Sequence, residues 1–282
     1  MLDYKYSDTE RLEASLVFNA TNYDMYGEMA NNDCNLWVRD TKNIDTSKLK
    51  SCYELHGKAI VVLGDSHAMN LFNIFSYSGT YDFVIGVSQG GCRPHSNKDI
   101  CHYDNFDKFA VENSGIIDLV VYHQSGSYFI KSDNGDVDNQ LAFEGRFGGY
   151  AADNIDEVIS YLKSFSETTG TQVFWIGPFL EYRRVPNEIL FSEEIKVVNP
   201  QSIKLFTELE KLLISKLKKF PEIAYSSFHD IFHEPRVSFN GDCFVFRDTD
   251  HFSKCGEILI GKSLRKDLIN DRLETEKIIR LD

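Results

Sequence analysis

The chain has 282 residues, with 30 Lys+Arg against 43 Asp+Glu and a formal net charge of −13. Its 42% hydrophobic and 26% charged residues are ordinary globular values and exclude a disordered tail protein. The acidic balance argues against a nucleic-acid or anionic-membrane binder, which needs a basic face. No apolar run approaches the ~18 residues that span a bilayer.

Residues 1–55 are polar, with few apolar periodicities, and predict a loop-rich or helical extension packed on one domain over 56–282. The opening MLDYKYSDTERLE lacks the charged-then-apolar pattern of a signal peptide. From residue 56 onward, short apolar runs alternate with amphipathic ones. Strands are predicted at Lys58–Leu63, Asp82–Val87, Ile117–Tyr122, Thr171–Ile176 and Ile223–Phe228. Most are nearly continuous apolar runs, as expected of strands covered on both faces. Ile155, Val158, Ile159 and Leu162 repeat at helical spacing. Ile203, Phe206, Leu209, Leu213 and Leu217 mark a second helix before Pro221, and a third is predicted from about Lys254 to Leu268. This alternation predicts a three-layer α/β/α sandwich around a mostly parallel five-stranded sheet.

The six cysteines fall into three sequence-local couples, Cys34 with Cys52, Cys92 with Cys101 and Cys243 with Cys255. None is a CxxC, so tetrahedral zinc and thioredoxin-type chemistry fit poorly. Six reduced cysteines in a core are the alternative. The polar surroundings of Cys34, Cys92 and Cys101 favour loops, and therefore three disulfides in an oxidising compartment. With no export signal at its start, the chain is then expected to be either a domain cut out of a larger protein or a version without its leader.

In parallel sheets, functional groups collect at the carboxyl ends of the strands. The first predicted strand runs into Gly64-Asp65-Ser66-His67, and a helix is predicted to follow. Ser66 then sits on a strand-to-helix turn, with its N–H at a helix N-terminus that suits an oxyanion. The alternative is that Asp65 and Ser66 merely cap the helix. Late in the chain, Asp248-Thr249-Asp250-His251 places a carboxylate three residues before an imidazole. Asp248 would orient His251, and His251 would act as general base toward Ser66. Asp250 has no role in this reading beyond capping the next helix. His229 and His233 are spaced like an HExxH pair, but Asp replaces Glu and Pro235 follows at once, so two polar histidines are favoured over a metal site. His56, His95 and His102 receive no role. His67 and His123 lie near the site, where a structural role is favoured over contact with substrate.

Together, GDSH at Gly64–His67 and DTDH at Asp248–His251 resemble the SGNH (GDSL-like) hydrolase superfamily. The GGC at Gly90–Cys92, the IGP at Ile176–Pro178 and DTDHFS narrow the likeness. They resemble the SGNH domain fused behind acyltransferase family 3 membrane proteins, which O-acylate bacterial surface polysaccharides. The likeness covers roughly residues 56–265. It implies a flavodoxin-like fold, a Ser66–His251–Asp248 triad and a carbohydrate O-acyltransferase, or otherwise a carbohydrate acetylesterase or an inactive glycan-binding module. It also implies no cofactor or metal, a donor delivered by a membrane acyltransferase domain, a sugar acceptor, and a periplasmic or extracytoplasmic place. The family's oxyanion donors map to Ser66 and Gly91, with Gly90 as the alternative. The GxND block is missing after the third strand, where VVYHQSGSY leaves Gln124 as the amide candidate. Tyr128 and Tyr182 are candidate sugar platforms or packing residues.

Overall fold

The computed structural model describes residues 7–95, 100–103, 105–181 and 198–279. Its centre is a six-stranded sheet built from β1 (Asn35–Val38), β2 (Ala59–Gly64), β3 (Val84–Ser88), β4 (Ile117–His123), β7 (Gln172–Ile176) and β8 (Ile223–Ser226). The short β5 (Ile130–Ser132) pairs with β6 (Phe147–Tyr150), and β9 (Phe239–Asn240) with β10 (Cys243–Phe244), as two separate ribbons. The central order is β1-β3-β2-β4-β7-β8, and every neighbouring pair is parallel. Every residue of β2 is buried, which explains why it reads as an unbroken apolar run.

The five expected strands are all present, and β1 is the sixth. The extension is therefore more than loop and helix. Its Asn35-Leu36-Trp37-Val38 extends the sheet beside β3, and Cys34–Cys52 ties it to the helix α2 (Thr46–His56). A four-residue edge strand in polar surroundings gives almost no periodicity to read.

α1 (Asp8–Thr21) precedes β1 and is closed at its start by a capping box between Ser7 and Glu10. α3 (Ser66–Ser78) follows β2, and α4 (Phe106–Glu112) precedes β4. α5 (Ala152–Thr169) buries Ile155, Val158, Ile159 and Leu162 as its spacing predicts, and stops at Gly170 in a left-handed conformation. α6 (Pro200–Leu217) starts with Pro200 behind an Asn199 cap and buries Phe206, Leu209, Leu213 and Leu217. The chain steps from β2 to β3 toward one edge and from β4 to β7 toward the other. Right-handed crossovers then place α3 and α5 on opposite faces, giving the three layers.

Most strand ends move by a residue or two, and two of the differences have a local cause. The fifth strand ends at Ser226 because Ser227 caps α7 (Phe228–Phe232), accepting from the Asp230 N–H at 3.0 Å. The third long helix divides into α8 (Lys254–Gly261) and α9 (Lys266–Ile279). At the break, the Ser263 hydroxyl donates to the Ile260 carbonyl and the Arg265 N–H to the Ile231 carbonyl. These bonds satisfy the helix end by docking it on α7.

The strand order reverses at β2, between β3 and β4, and ligands of such sheets collect at the carboxyl ends of strands beside a reversal. Register aligns Gly64 with Ser88 of β3 and with His123 of β4. Gly64 has φ +151°, and a Cβ there would lie 1.8 Å from the His123 carbonyl oxygen. Only glycine lets the two strand ends close up before the turn. Gly64→Ala is accordingly expected to lose about 1–3 kcal/mol of stability from overpacking alone, with positive-φ strain in addition. Urea unfolding measures it, and a loss within ~0.5 kcal/mol, the scale of a surface substitution, would contradict this account.

Candidate active site

Asp65 is the N-cap of α3 and accepts from the His67 N–H at 3.0 Å. Its buried carboxylate also accepts from the Ser125 N–H at 3.1 Å and lies 3.4 Å from the Arg93 guanidinium. One capping residue thus ties together the loops after β2, β3 and β4. Ser66 is the first residue of the helix, and its hydroxyl is free to leave the cap. Its Oγ lies 2.9 Å from His251 Nε2. Asp65 therefore does the capping, and the Ser66 hydroxyl is turned to the imidazole.

His251 comes from the loop between β10 and α8. This loop is closed by an antiparallel bridge between Phe246 and Phe252, and the Arg247 N–H donates to the His251 carbonyl at 3.0 Å. Asp248 Oδ1 accepts from the backbone N–H groups of Asp250 (3.0 Å) and His251 (2.7 Å). The same carboxylate meets His251 Nδ1 at 3.0 and 3.1 Å. The DxxH spacing works because the turn that fixes Asp248 also folds the imidazole back over it. With Nδ1 held there, Nε2 is the ring atom turned to Ser66, in position to exchange a proton with its hydroxyl. Burial pushes the His251 ring down, but Asp248 and Asp250 outweigh it and hold the ring up, at about 10.

The disulfides Cys34–Cys52, Cys92–Cys101 and Cys243–Cys255 are all formed. The second clamps the loop after β3, where the Cys92 N–H donates to the Gln89 carbonyl and Gly91 takes φ +68°. Gly91 is exposed there. Gly90 packs under the Tyr26 hydroxyl, where a Cβ would lie 2.1 Å away. Gln124 is buried, and its amide faces other partners. It accepts from the Tyr122 hydroxyl and donates to the Ser125 carbonyl at 3.4 Å. Tyr128 carries the Arg93 guanidinium 3.9 Å above its ring, so one face of that candidate platform is taken. Tyr182 lies outside the described residues.

Sequence reasoning passed over a second group. Asn70, one turn along α3 from Ser66, accepts from the Phe252 N–H at 3.3 Å, directly after His251. Asn70 and Asn73 both donate to Glu257 of α8, and the Tyr23 hydroxyl donates to it at 2.9 Å. Two asparagines in the otherwise apolar AMNLFN were the available signal. They join the helix that carries Ser66 to the loop that carries His251, with the extension's Tyr23 closing the network. Burial raises Glu257 to about 8, against the lowering effect of Asn73, Asn70, Tyr23 and His251. Its folded value exceeds the usual 4.5, so the folded state takes up a proton that the unfolded state releases. Stability from this group is present below pH ~4.5 and lost as pH rises toward ~8. Thermal melts from pH 5 to 8 should therefore fall with pH, and Glu257→Gln should flatten that slope. An equal slope in both proteins would contradict the assignment.

His123 is wholly buried, with Nδ1 3.0 Å from the Ile176 carbonyl, and burial drops it to about 4. It is a neutral tie between β4 and β7. The His229 and His233 rings are 6.2 Å apart at the short α7. Among the described residues, the donors that could surround a cation are those of His67, Asp250 and His251, within 4.8 Å of one another. The Nδ1 of His251 is already committed to Asp248.

The family model for the SGNH domain fused to AT3 domains matches residues 33–266. The chain belongs to that family, and the match begins before β1, so it takes in the sixth strand. No curated protein matches. Among solved structures, an SGNH-type protein from Slackia heliotrinireducens is 12% identical, with 77% of this chain and 98% of that one covered at a TM-score of 0.44. The C-terminal catalytic domain of a Streptococcus pneumoniae peptidoglycan O-acetyltransferase is 11% identical, with coverages of 78% and 94% and a TM-score of 0.38. A carbohydrate acetylesterase from Sinorhizobium meliloti is 14% identical, with coverages of 77% and 99% and a TM-score of 0.40. No described helix is long and apolar enough to cross a membrane.

Proposed function

We propose that this chain is the extracytoplasmic acyl-transfer domain of a carbohydrate O-acetyltransferase acting on a bacterial cell-surface polysaccharide. The observation that carries the reading is the line Asp248–His251–Ser66, with 3.0 Å at Nδ1 and 2.9 Å at Nε2. Membership of a family fused to AT3 domains supports a membrane acyltransferase domain as the source of the acyl group. Three disulfides support an oxidising compartment.

In this mechanism Ser66 Oγ attacks the donor's acyl carbonyl while His251 Nε2 takes its proton. Asp248 stabilises the imidazolium that forms. The carbonyl oxygen gathers negative charge, which the Ser66 N–H faces from the start of α3. His251 returns the proton to the leaving group, and an acyl ester remains on Ser66. A sugar hydroxyl then gives its proton to His251 and attacks the ester; the bond to Ser66 Oγ breaks, His251 returns the proton to that oxygen, and the acylated sugar leaves. No step needs a cofactor or a metal.

Only neutral His251 can accept the proton, and its value lies near 10. Turnover should therefore rise about tenfold per pH unit through neutrality toward alkaline pH. A pH–rate profile already flat above pH 6.5 would contradict this. The same ion pair contributes stability below pH ~6.5 that is lost as pH passes ~10.

Transfer is separated from hydrolysis by supplying a soluble acetyl donor with and without bacterial surface oligosaccharide, and measuring acetate and acetylated sugar separately. Acetylated sugar that depends on Ser66 is the expected result. Rapid acetate release, indifferent to every glycan supplied, would assign the esterase activity instead. No turnover of donor in either channel, with Ser66 unmodified, would leave an inactive glycan-binding module.

A further inference from the structure

His67 and Asp250 have no part in the steps above, yet both adjoin the base. Asp250 Oδ1 lies 3.4 Å from His251 Nδ1, the nitrogen already held by Asp248. Its other oxygen lies 3.9 Å from His67 Nε2. Asp250 is not the cap of α8, because Ser253 fills that position and accepts from the Gly256 N–H. His67 follows the nucleophile and is 1% exposed, and neither of its ring nitrogens has a hydrogen-bond partner. Its ring stacks on Phe179 at 4.4 Å and meets His251 edge-on at 5.2 Å. On the far side, His67 Nδ1 faces Glu181 at 3.8 Å. Glu181 is fully buried and accepts from the Ser125 hydroxyl and the Gly126 and Ser127 N–H groups.

A buried imidazole wedged between two carboxylates, with no hydrogen bond of its own, is costly unless charge or position is gained from it. We propose that His67 and Asp250 form a second orienting arm on His251, in which His67, backed by Glu181, holds the Asp250 carboxylate against the base beside Asp248. The inference rests on His251 being the general base. Both residues act through His251 and are positioning residues. When the Ser66 proton arrives, the imidazolium is then flanked by two carboxylates instead of one. Burial disfavours the Asp250 carboxylate, but His251 and His67 outweigh this and hold it well below its ordinary range. The groups facing His251 are Asp248 and Asp250 from its own loop, Ser66 and His67 from α3, and Glu257 from α8. Arg247 reaches Asp248 at 3.6 Å from behind.

The test is a pH titration of the His251 ring by NMR in the full chain with 15N-labelled histidine, for wild type, Asp250→Asn, His67→Gln and the double variant. Asp250→Asn should lower the His251 midpoint by about one unit, a tenfold change in proton affinity. His67→Gln should lower it in the same direction by less. The double variant should match Asp250→Asn alone, because His67 works through Asp250. The acid limb of the pH–rate profile should move with the midpoint. An unchanged midpoint in Asp250→Asn, or additive shifts in the double variant, would overturn the proposal. Asp250 is part-exposed, so its variant carries the test even if His67→Gln fails to fold. The titration reads the ring directly. Failure of the acyl-transfer reading would appear separately, as loss of turnover dependence on Ser66 with the NMR shift intact.

Discussion

Ser66→Ala is expected to cut acetyl-ester turnover by on the order of 10³–10⁶-fold while leaving the fold unchanged. The hydroxyl is the only group lost, and it contributes nothing to the helix start, because Asp65 supplies the cap. Melting and circular dichroism should therefore match wild type. His251→Ala should fall as far, since each member of a triad needs the others, and the double variant should be little worse than either single one. Steady-state kinetics on a soluble acetyl ester measures this. Residual turnover above about a tenth of wild type in Ser66→Ala would remove Ser66 as nucleophile, because losses of triad members far exceed that.

Opening the disulfide Cys243–Cys255 is expected to harm turnover before it unfolds the sheet. The bond spans 12 positions, and Asp248, Asp250 and His251 all lie inside that loop. In the chain-entropy model, closing a loop of this size is worth about 3 kcal/mol. One end is fixed in β10 and the other in α8, so the effect falls on the loop that carries His251. Among the contacts that remain after reduction are the bridge between Phe246 and Phe252, the Arg247 N–H bond to the His251 carbonyl at 3.0 Å, the Ser253 N–H bond to the Val245 carbonyl at 2.9 Å, and the Asn70 clamp on Phe252. The double variant Cys243→Ser/Cys255→Ser should lower kcat at a temperature where the circular dichroism of the sheet is intact. A variant with native kcat and only a lower Tm would show that the bond stabilises without positioning.

The sequence was most informative where chemistry and backbone pattern coincide. GDSH follows a fully buried strand, so its place on the strand-to-helix turn could be read directly. DxxH encodes a turn in which one carboxylate serves two backbone N–H groups and the ring. The cysteine couples were legible because they are local. What stayed hidden depends on contacts distant in the chain. Trp37 and its neighbours become a strand only by pairing with β3, almost fifty residues on. Glu181 appears in GPFLEY as an ordinary loop acid, and only folding brings it to His67. Gln124 offers an amide just past β4, but that its carbonyl oxygen accepts from the Tyr122 hydroxyl is visible only in the fold. Asn70 and Glu257 are 187 residues apart, and no local pattern pairs them. Residue type can nominate such groups, but their partners come from the tertiary fold.

The central claim is an acyl ester on Ser66, and intact-mass spectrometry tests it most directly. The protein would be exposed to an activated acetyl ester, quenched in acid during turnover, and digested to locate any adduct. The account predicts a single acetyl addition on the peptide holding Gly64–His67, assigned to Ser66 by fragmentation. It should be absent from Ser66→Ala and should decay faster when a sugar acceptor is added. Turnover of the ester with no adduct at Ser66, or an equal adduct in Ser66→Ala, would contradict it.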